Sequence, residues 1–273
     1  MAEVVEEYAV KTRGLGLPDY AAAVGGVPVG PVYTSTDIAE LAARLGSPVT
    51  FDRRGNVVWF DDFESNINKW SIRFSGNGPG DTPLGVGGGA VLSADAVYRG
   101  SLAAKLTTPD AVGDGVNLDL FLPVATITNL GAEVSFTLDD DVWWYQITII
   151  RRNGTVGLGG AIRYSLPGQV LTYWNSAGGR TDLIAPLDLG VAPEGSHQWH
   201  TLKMVADMTN GKYLRCIIDD QSIDMVADML VMPYISSPST FVSVNSSNGA
   251  VGNHSNFVDN VIVTQNELAN VEE

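Results

Sequence analysis

From Val49 onward almost every apolar run is short, rich in β-branched or aromatic residues, and cut off by a turn signal. This pattern limits the fold more than any other feature of the chain. Val49-Thr-Phe51 and Val57-Val-Trp-Phe60 flank the polar stretch Asp52-Arg-Arg-Gly-Asn56, which predicts a hairpin. Trp143-Trp-Tyr-Gln-Ile-Thr-Ile-Ile150 is followed by Asn153-Gly154, the strongest two-residue hairpin signal. Leu202, Met204 and Ala206 alternate with Lys203 and Val205, Asn210-Gly211 turns the chain, and Leu214, Cys216 and Ile218 alternate with Tyr213, Arg215 and Ile217. Phe257, Asp259, Val261 and Val263 are expected on one face of a last strand. About a dozen such segments without helices between them predict an all-β, antiparallel two-sheet sandwich.

Residues 1–56 read differently. Pro and Gly break the stretch from Gly14 to Pro31, and neither strand nor helix periodicity survives there. Its apolar content is too high for a solvated linker, so it reads as an extended arm that needs a surface to lie on. One short helix, 37–45, interrupts it: Asp37 caps, Ile38, Leu41, Ala42 and Leu45 share a face, and Gly46 and Pro48 stop it. Two turns are not stable alone. The expected docking residues of the arm are Leu15, Leu17, Tyr20, Ile38, Leu41 and Leu45. At the other end, residues 266–273 form an acidic tail, with Glu267, Glu272 and Glu273, that is expected to fray.

The charge balance narrows the partners. The chain has 273 residues, of which 45% are apolar, and a formal net charge of −15. Phosphate binding needs clustered Lys and Arg, so nucleic acid is excluded, as is an anionic membrane surface. The single cysteine, Cys216, alternates with apolar residues and reads as a buried, inert thiol. The acidic start, Met1-Ala-Glu-Val-Val-Glu-Glu, lacks the basic region and apolar run of a secretory signal.

No residue pattern supports catalysis. There is no Gly-x-Ser-x-Gly elbow, and His197, His200 and His254 have no metal-site spacing. The Gly-rich run Gly85–Gly89 is not followed by Lys-Ser/Thr and reads as a loop rather than a phosphate cradle. Asp139-Asp-Asp141 reads as a solvated turn, with a calcium-binding loop as the alternative, because three consecutive carboxylates in a turn point apart. Trp143, Trp144, Tyr173 and Trp174 are candidates for a sugar-stacking platform, weighed against packing between the sheets.

Asp61-Asp-Phe-Glu-Ser-Asn-Ile-Asn-Lys-Trp70, His197-Gln-Trp-His-Thr-Leu-Lys-Met204 and Phe257-Val-Asp-Asn-Val-Ile-Val263 together resemble the concanavalin A-like lectin/glucanase superfamily, in particular its laminarinase-like members. The resemblance spans residues 57–265 and implies a jelly roll whose first and last strands pair. The catalytic Glu-x-Asp-x-x-Glu strand of those enzymes is missing, and Glu133 is the nearest acidic strand start, so no catalytic residue is expected. The resemblance also implies a structural calcium near the first and last strands, where Glu64 and Asp259 stand. No other cofactor is expected. In the arm, Thr12–Tyr20 and Leu45–Phe60 are similar to the leader of phage virion proteins with lectin-like bodies. That implies a capsid decoration or other surface protein of a phage particle. Its expected partners are capsid or other virion proteins, copies of itself in an oligomer or lattice, and host-surface glycans.

Overall fold

Side-chain alternation sorts the strands into two stacked antiparallel sheets. The computed structural model describes residues 54–76, 83–122, 129–139, 141–190, 196–225, 227–233 and 238–268. Among these residues there are sixteen strands and no helix.

The back sheet runs, in spatial order, β13 (Gln221–Asp224), β12 (Lys212–Ile218), β11 (Trp199–Asp207), β6 (Asn129–Thr137), β16 (Ser255–Gln265), β4 (Ala103–Thr107) and β3 (Gly89–Ser93), with β1 (Asn56–Asp61) also paired to β16. The front sheet runs β10 (Arg180–Ile184), β9 (Val170–Trp174), β8 (Val156–Ser165), β7 (Val142–Arg152), β15 (Ser239–Asn248), β5 (Gly115–Leu122) and β2 (Ser71–Ser75), with β14 (Leu230–Pro233) on β8. The result is the expected jelly-roll sandwich. First and last strands pair, with Trp59 opposite Val263 and Asp61 opposite Val261. The helix at 37–45, the six arm-docking residues and the Val49–Phe51 half of the first expected hairpin lie outside the described residues.

The turn signals act where expected. The Asn153 side chain accepts the N–H groups of Thr155 and Val156 at 2.9 and 2.8 Å, and Gly154 takes a φ of +94° that only glycine adopts without strain. Between the sheets, inward residues of β5, β6, β7, β11, β15 and β16 form one core. Phe136 of β6 stacks on Tyr145 of β7 with ring centres 4.0 Å apart and planes 3° from parallel, which joins the two sheets. The Tyr213 hydroxyl also spans them: it accepts the Ala161 N–H at 2.9 Å and donates to the Trp174 carbonyl at 2.9 Å. Gly160 makes room for that ring, since a Cβ there would stand 3.0 Å from Tyr213 and 2.9 Å from Met229.

Two bulges shift the expected alternation. In β12 the register slips opposite Val205 and Ala206, so Tyr213, not Leu214, joins Cys216 and Ile218 in the core. In β16 the slip falls between Asp259 and Ile262, where Asn260 has a φ of +47°. Val258, Val261 and Val263 therefore face the core, while Phe257 packs outside it, edge-on to His197 at 4.9 Å. Phe257 and Val261 do not share a face, contrary to the plain period-2 reading. Cys216 is buried as expected, and burial pushes its thiol well above the ordinary range.

The start of the tail does not fray. Glu267 is buried against the back sheet, where its carboxylate meets Lys203 Nζ at 2.9 Å and also pairs with Arg215. Its backbone carbonyl accepts the Asn129 amide at 2.7 Å.

Candidate functional site

The outward face of the front sheet carries the site. On β7, Tyr145, Ile147 and Ile149 enter the core, so Trp144, Gln146, Thr148, Ile150 and Arg152 face out. On β15, Val242 and Val244 turn in and Phe241, Ser243 and Asn245 turn out; on β5, Asn117 alternates with Val116 and Leu118. Together with Arg73 of β2, Arg163 of β8 and Trp174 of β9 they line a groove of about 360 Å³.

Its floor is a row of amides and hydroxyls, four of them linked by hydrogen bonds, Gln146, Thr148, Asn245 and Ser243. Asn117, Gln146, Thr148, Ser243 and Asn245 are all buried. Gln146 Nε2 donates to Thr148 Oγ1 at 2.7 Å, and Asn245 Nδ2 donates to the same hydroxyl at 3.3 Å. Ser243 Oγ donates to Asp119 Oδ1 at 2.5 Å, and Asp119 Oδ2 pairs with Arg73. These bonds hold the side chains in place before any ligand arrives.

Two tryptophan–arginine pairs stand together toward one edge. The Arg163 guanidinium lies 3.8 Å from the centre of the Trp144 ring, and that of Arg180 lies 5.5 Å from Trp174. Both guanidiniums donate to one neutral acceptor, Gln146 Oε1, at 3.0 Å from Arg163 Nε and 2.6 Å from Arg180 Nη2. Burial pulls Arg163 down to about 9, and the neighbouring Arg180 charge pulls the same way. Burial likewise pulls Arg180 down to about 10. Both stay charged at neutral pH.

Of the four expected stacking residues the structure brings two together, Trp144 and Trp174. Trp143 sits at a register slip of β7 against β15, 42% exposed and off the groove. Tyr173 turns inward and meets Tyr213 edge-on at 5.4 Å. Sequence reasoning missed Arg163, Arg180 and the polar floor. The signal was present: Asn117 on β5, Gln146 and Thr148 on β7, and Ser243 and Asn245 on β15 put uncharged polar residues between apolar ones, unlike the charged face of an ordinary solvated strand.

The expected carboxylates lie elsewhere. Glu133 is on the back sheet, buried beside Lys203. Asp139 and Asp141 form a turn at the sandwich end, where the Val142 N–H reaches the Asp139 carbonyl at 3.0 Å. His254 Nδ1 approaches Asp141 Oδ2 at 3.3 Å, and one ligand atom from each of Asp139, Asp141 and His254 falls within 4.8 Å of the others. Glu64 Oε1 accepts the N–H groups of Ser101 and Leu102 at 2.6 and 2.9 Å. Asp259 Oδ2 accepts those of Tyr98 and Arg99, both at 3.1 Å. Both carboxylates thus tether the loop between β3 and β4. N–H groups converge on them where a calcium ion needs further oxygens, so this donor set does not fit calcium.

No protein-family model matches the chain, and no curated protein sequence does. Solved structures with a similar arrangement include the cellulose-induced protein Cip1, at 16% identity and a TM-score of 0.48, covering 78% of this chain and 100% of the other. A Bacillus subtilis protein with a galectin-like fold matches at 10% identity and 0.47, covering 78% and 97%. An endo-β-1,4-glucuronan lyase of Trichoderma reesei matches at 14% and 0.46, covering 77% and 96%. At these identities and scores the likeness says nothing of what this chain binds or does, and its jelly-roll fold stands on its own strand pairing.

Proposed function

We propose that this chain binds a glycan in the front-sheet groove and does not cleave it. One observation carries the reading: Trp144 and Trp174 stand over a buried floor of amides and hydroxyls. A sugar ring has an apolar C–H face and a hydroxyl edge, and this arrangement offers an aromatic surface to the first and hydrogen-bonding groups to the second. The absence of hydrolysis is supported by the carboxylates. Glycoside hydrolysis uses two, flanking the bond. Among the described residues of this face the buried carboxylate is Asp119, and its two oxygens are engaged by Ser243 and Arg73. Titration with a panel of soluble polysaccharides tests the reading. Binding should fall at least ~tenfold in Trp144→Ala and Trp174→Ala, with no reducing ends released. Binding that ignores both substitutions, or steady release of reducing ends, overturns it.

The virion role is a second proposal, supported by the similarity of residues 12–20 and 45–60 to phage virion leaders. In it, residues 1–56 anchor the protein to capsid proteins or to its own copies on the particle surface, as a decoration protein does, and the jelly roll faces host glycans. Deleting residues 1–48 should leave a folded body that no longer joins particles. Normal incorporation of the truncated protein would sink this proposal.

A further inference from the structure

We infer that the ligand of this groove is a polyuronate, a polysaccharide carrying carboxylates, and that Arg163 and Arg180 together receive one carboxylate. The inference rests on the glycan reading above and names the substrate class.

Charge compensation carries the argument. In a chain of net charge −15, four of the 16 Lys and Arg residues, Arg73, Arg152, Arg163 and Arg180, gather on this one face. Buried cations elsewhere meet a carboxylate: Lys203 and Arg215 both meet Glu267. Arg73 has Asp119. Arg163 and Arg180 are different. Among the described residues no carboxylate lies within ion-pair distance of either, and their shared partner is the neutral oxygen of Gln146. Asp182, two residues along β10, pairs with neither. Arg180 Nη1 is buried and has no hydrogen-bond partner at all.

Holding two positive charges side by side, both largely out of water and without a counter-charge, is unfavourable. An anion delivered by a ligand offsets that cost and completes the unmet N–H donors. The planar forks of two guanidiniums match a carboxylate in geometry as well as charge. Trp144 and Trp174 flank the pair, so the anion belongs to a group with a stackable ring. A nucleic acid satisfies that too, but its row of phosphates needs a long positive track, and the acidic body opposes it.

Calorimetric titration of the full chain tests the inference. The probes are soluble oligomers of galacturonate, glucuronate and mannuronate, the carboxyl-reduced neutral form of each, and dextran sulfate. At least one uronate should bind ~tenfold or more tightly than its reduced form, as a charge-assisted bidentate contact requires. Arg163→Gln and Arg180→Gln should each erase that preference, costing the uronate far more affinity than its reduced form, and leave the melting temperature of the free protein unlowered. Trp144→Ala should weaken both forms. Equal, Trp144-dependent affinity for charged and reduced forms overturns the carboxylate inference and spares the glycan reading. So does a uronate preference that survives both arginine substitutions. Equal, arginine-dependent binding of dextran sulfate overturns the choice of carboxylate. Failure of every oligomer to bind overturns both.

Discussion

The two outward faces of the sandwich use the same residue types to opposite ends. On the back sheet, Arg215 and Lys203 are buried and held by Glu267, whose oxygens also engage Thr264. On the front sheet, Arg163 and Arg180 are held by an amide oxygen and by the faces of Trp144 and Trp174, with no carboxylate among the described residues. The first arrangement is closed: removing one member strands the others. The second is open, and a charge must come from outside to close it. A buried arginine alone therefore says little about function, whereas its balance with nearby carboxylates says much.

Glu267→Ala should give the largest effect and tests the closed side. It leaves Arg215 and Lys203 buried with reduced compensation, which typically costs about 3–5 kcal/mol. Urea unfolding should show a clearly lower midpoint, while glycan affinity of the folded fraction is kept. A change below ~1 kcal/mol would mean that the network is solvated and the contrast false.

Next comes the link between the faces. Tyr213→Phe removes the hydroxyl that joins back-sheet β12 to the Ala161 N–H and the Trp174 carbonyl of the front sheet. The loss should be about 1–3 kcal/mol. Because Trp174 is one wall of the groove, binding should weaken as well, which separates this variant from Glu267→Ala in the same two assays.

On the open side, Arg163→Gln should leave stability unchanged or raise it by up to ~1 kcal/mol, because a half-buried charge with no carboxylate partner is removed. Thermal melting with and without a uronate oligomer reads both quantities. A melting point that falls by many degrees without ligand would place Arg163 with the structural charges after all.

The last test, at Asp259, reads the pH profile rather than a single midpoint. The Asp259 carboxyl is raised to about 6 from an ordinary 3.8, first by burial and then by the Asp62 charge, against the N–H groups of Arg99, Asn260 and Tyr98. The folded chain therefore holds that proton more tightly than the unfolded one. Its contribution to stability is complete below about pH 4 and is lost as pH rises to about 6. Asp259→Asn should flatten that part of the pH profile. A chelator should shift neither protein. A chelator-induced fall in wild type that Asp259→Asn abolishes would instead establish calcium at this site.

Half of the site was legible from residue type. Trp144 and Trp174 stood out as large aromatics in strand sequence, but so did Trp143 and Tyr173. What divided them was a register slip beside Trp143 and the inward turn of Tyr173 onto Tyr213. The arginine pair was not legible, because Arg163 and Arg180 are seventeen positions apart and meet only through the β8–β9–β10 meander. The buried role of Glu267 was hidden in the same way, since an acidic end looks solvated until its lysine and arginine partners are folded beneath it.

Strand content, the Asn-Gly turns and the all-β class were determined by the sequence alone, because backbone preference and period-2 alternation act between residues a few positions apart. Tertiary structure decided which face of each strand is the core beyond a bulge, as at Asn260 and Leu214, and which charges find a counter-charge. Both depend on what the neighbouring strand presents, and neighbouring strands here come from distant parts of the chain, β1 on β16 and β6 beside β11. Electrostatic balance acts through space rather than along the backbone, so whether an arginine is closed or open is settled only when the sheets are in place.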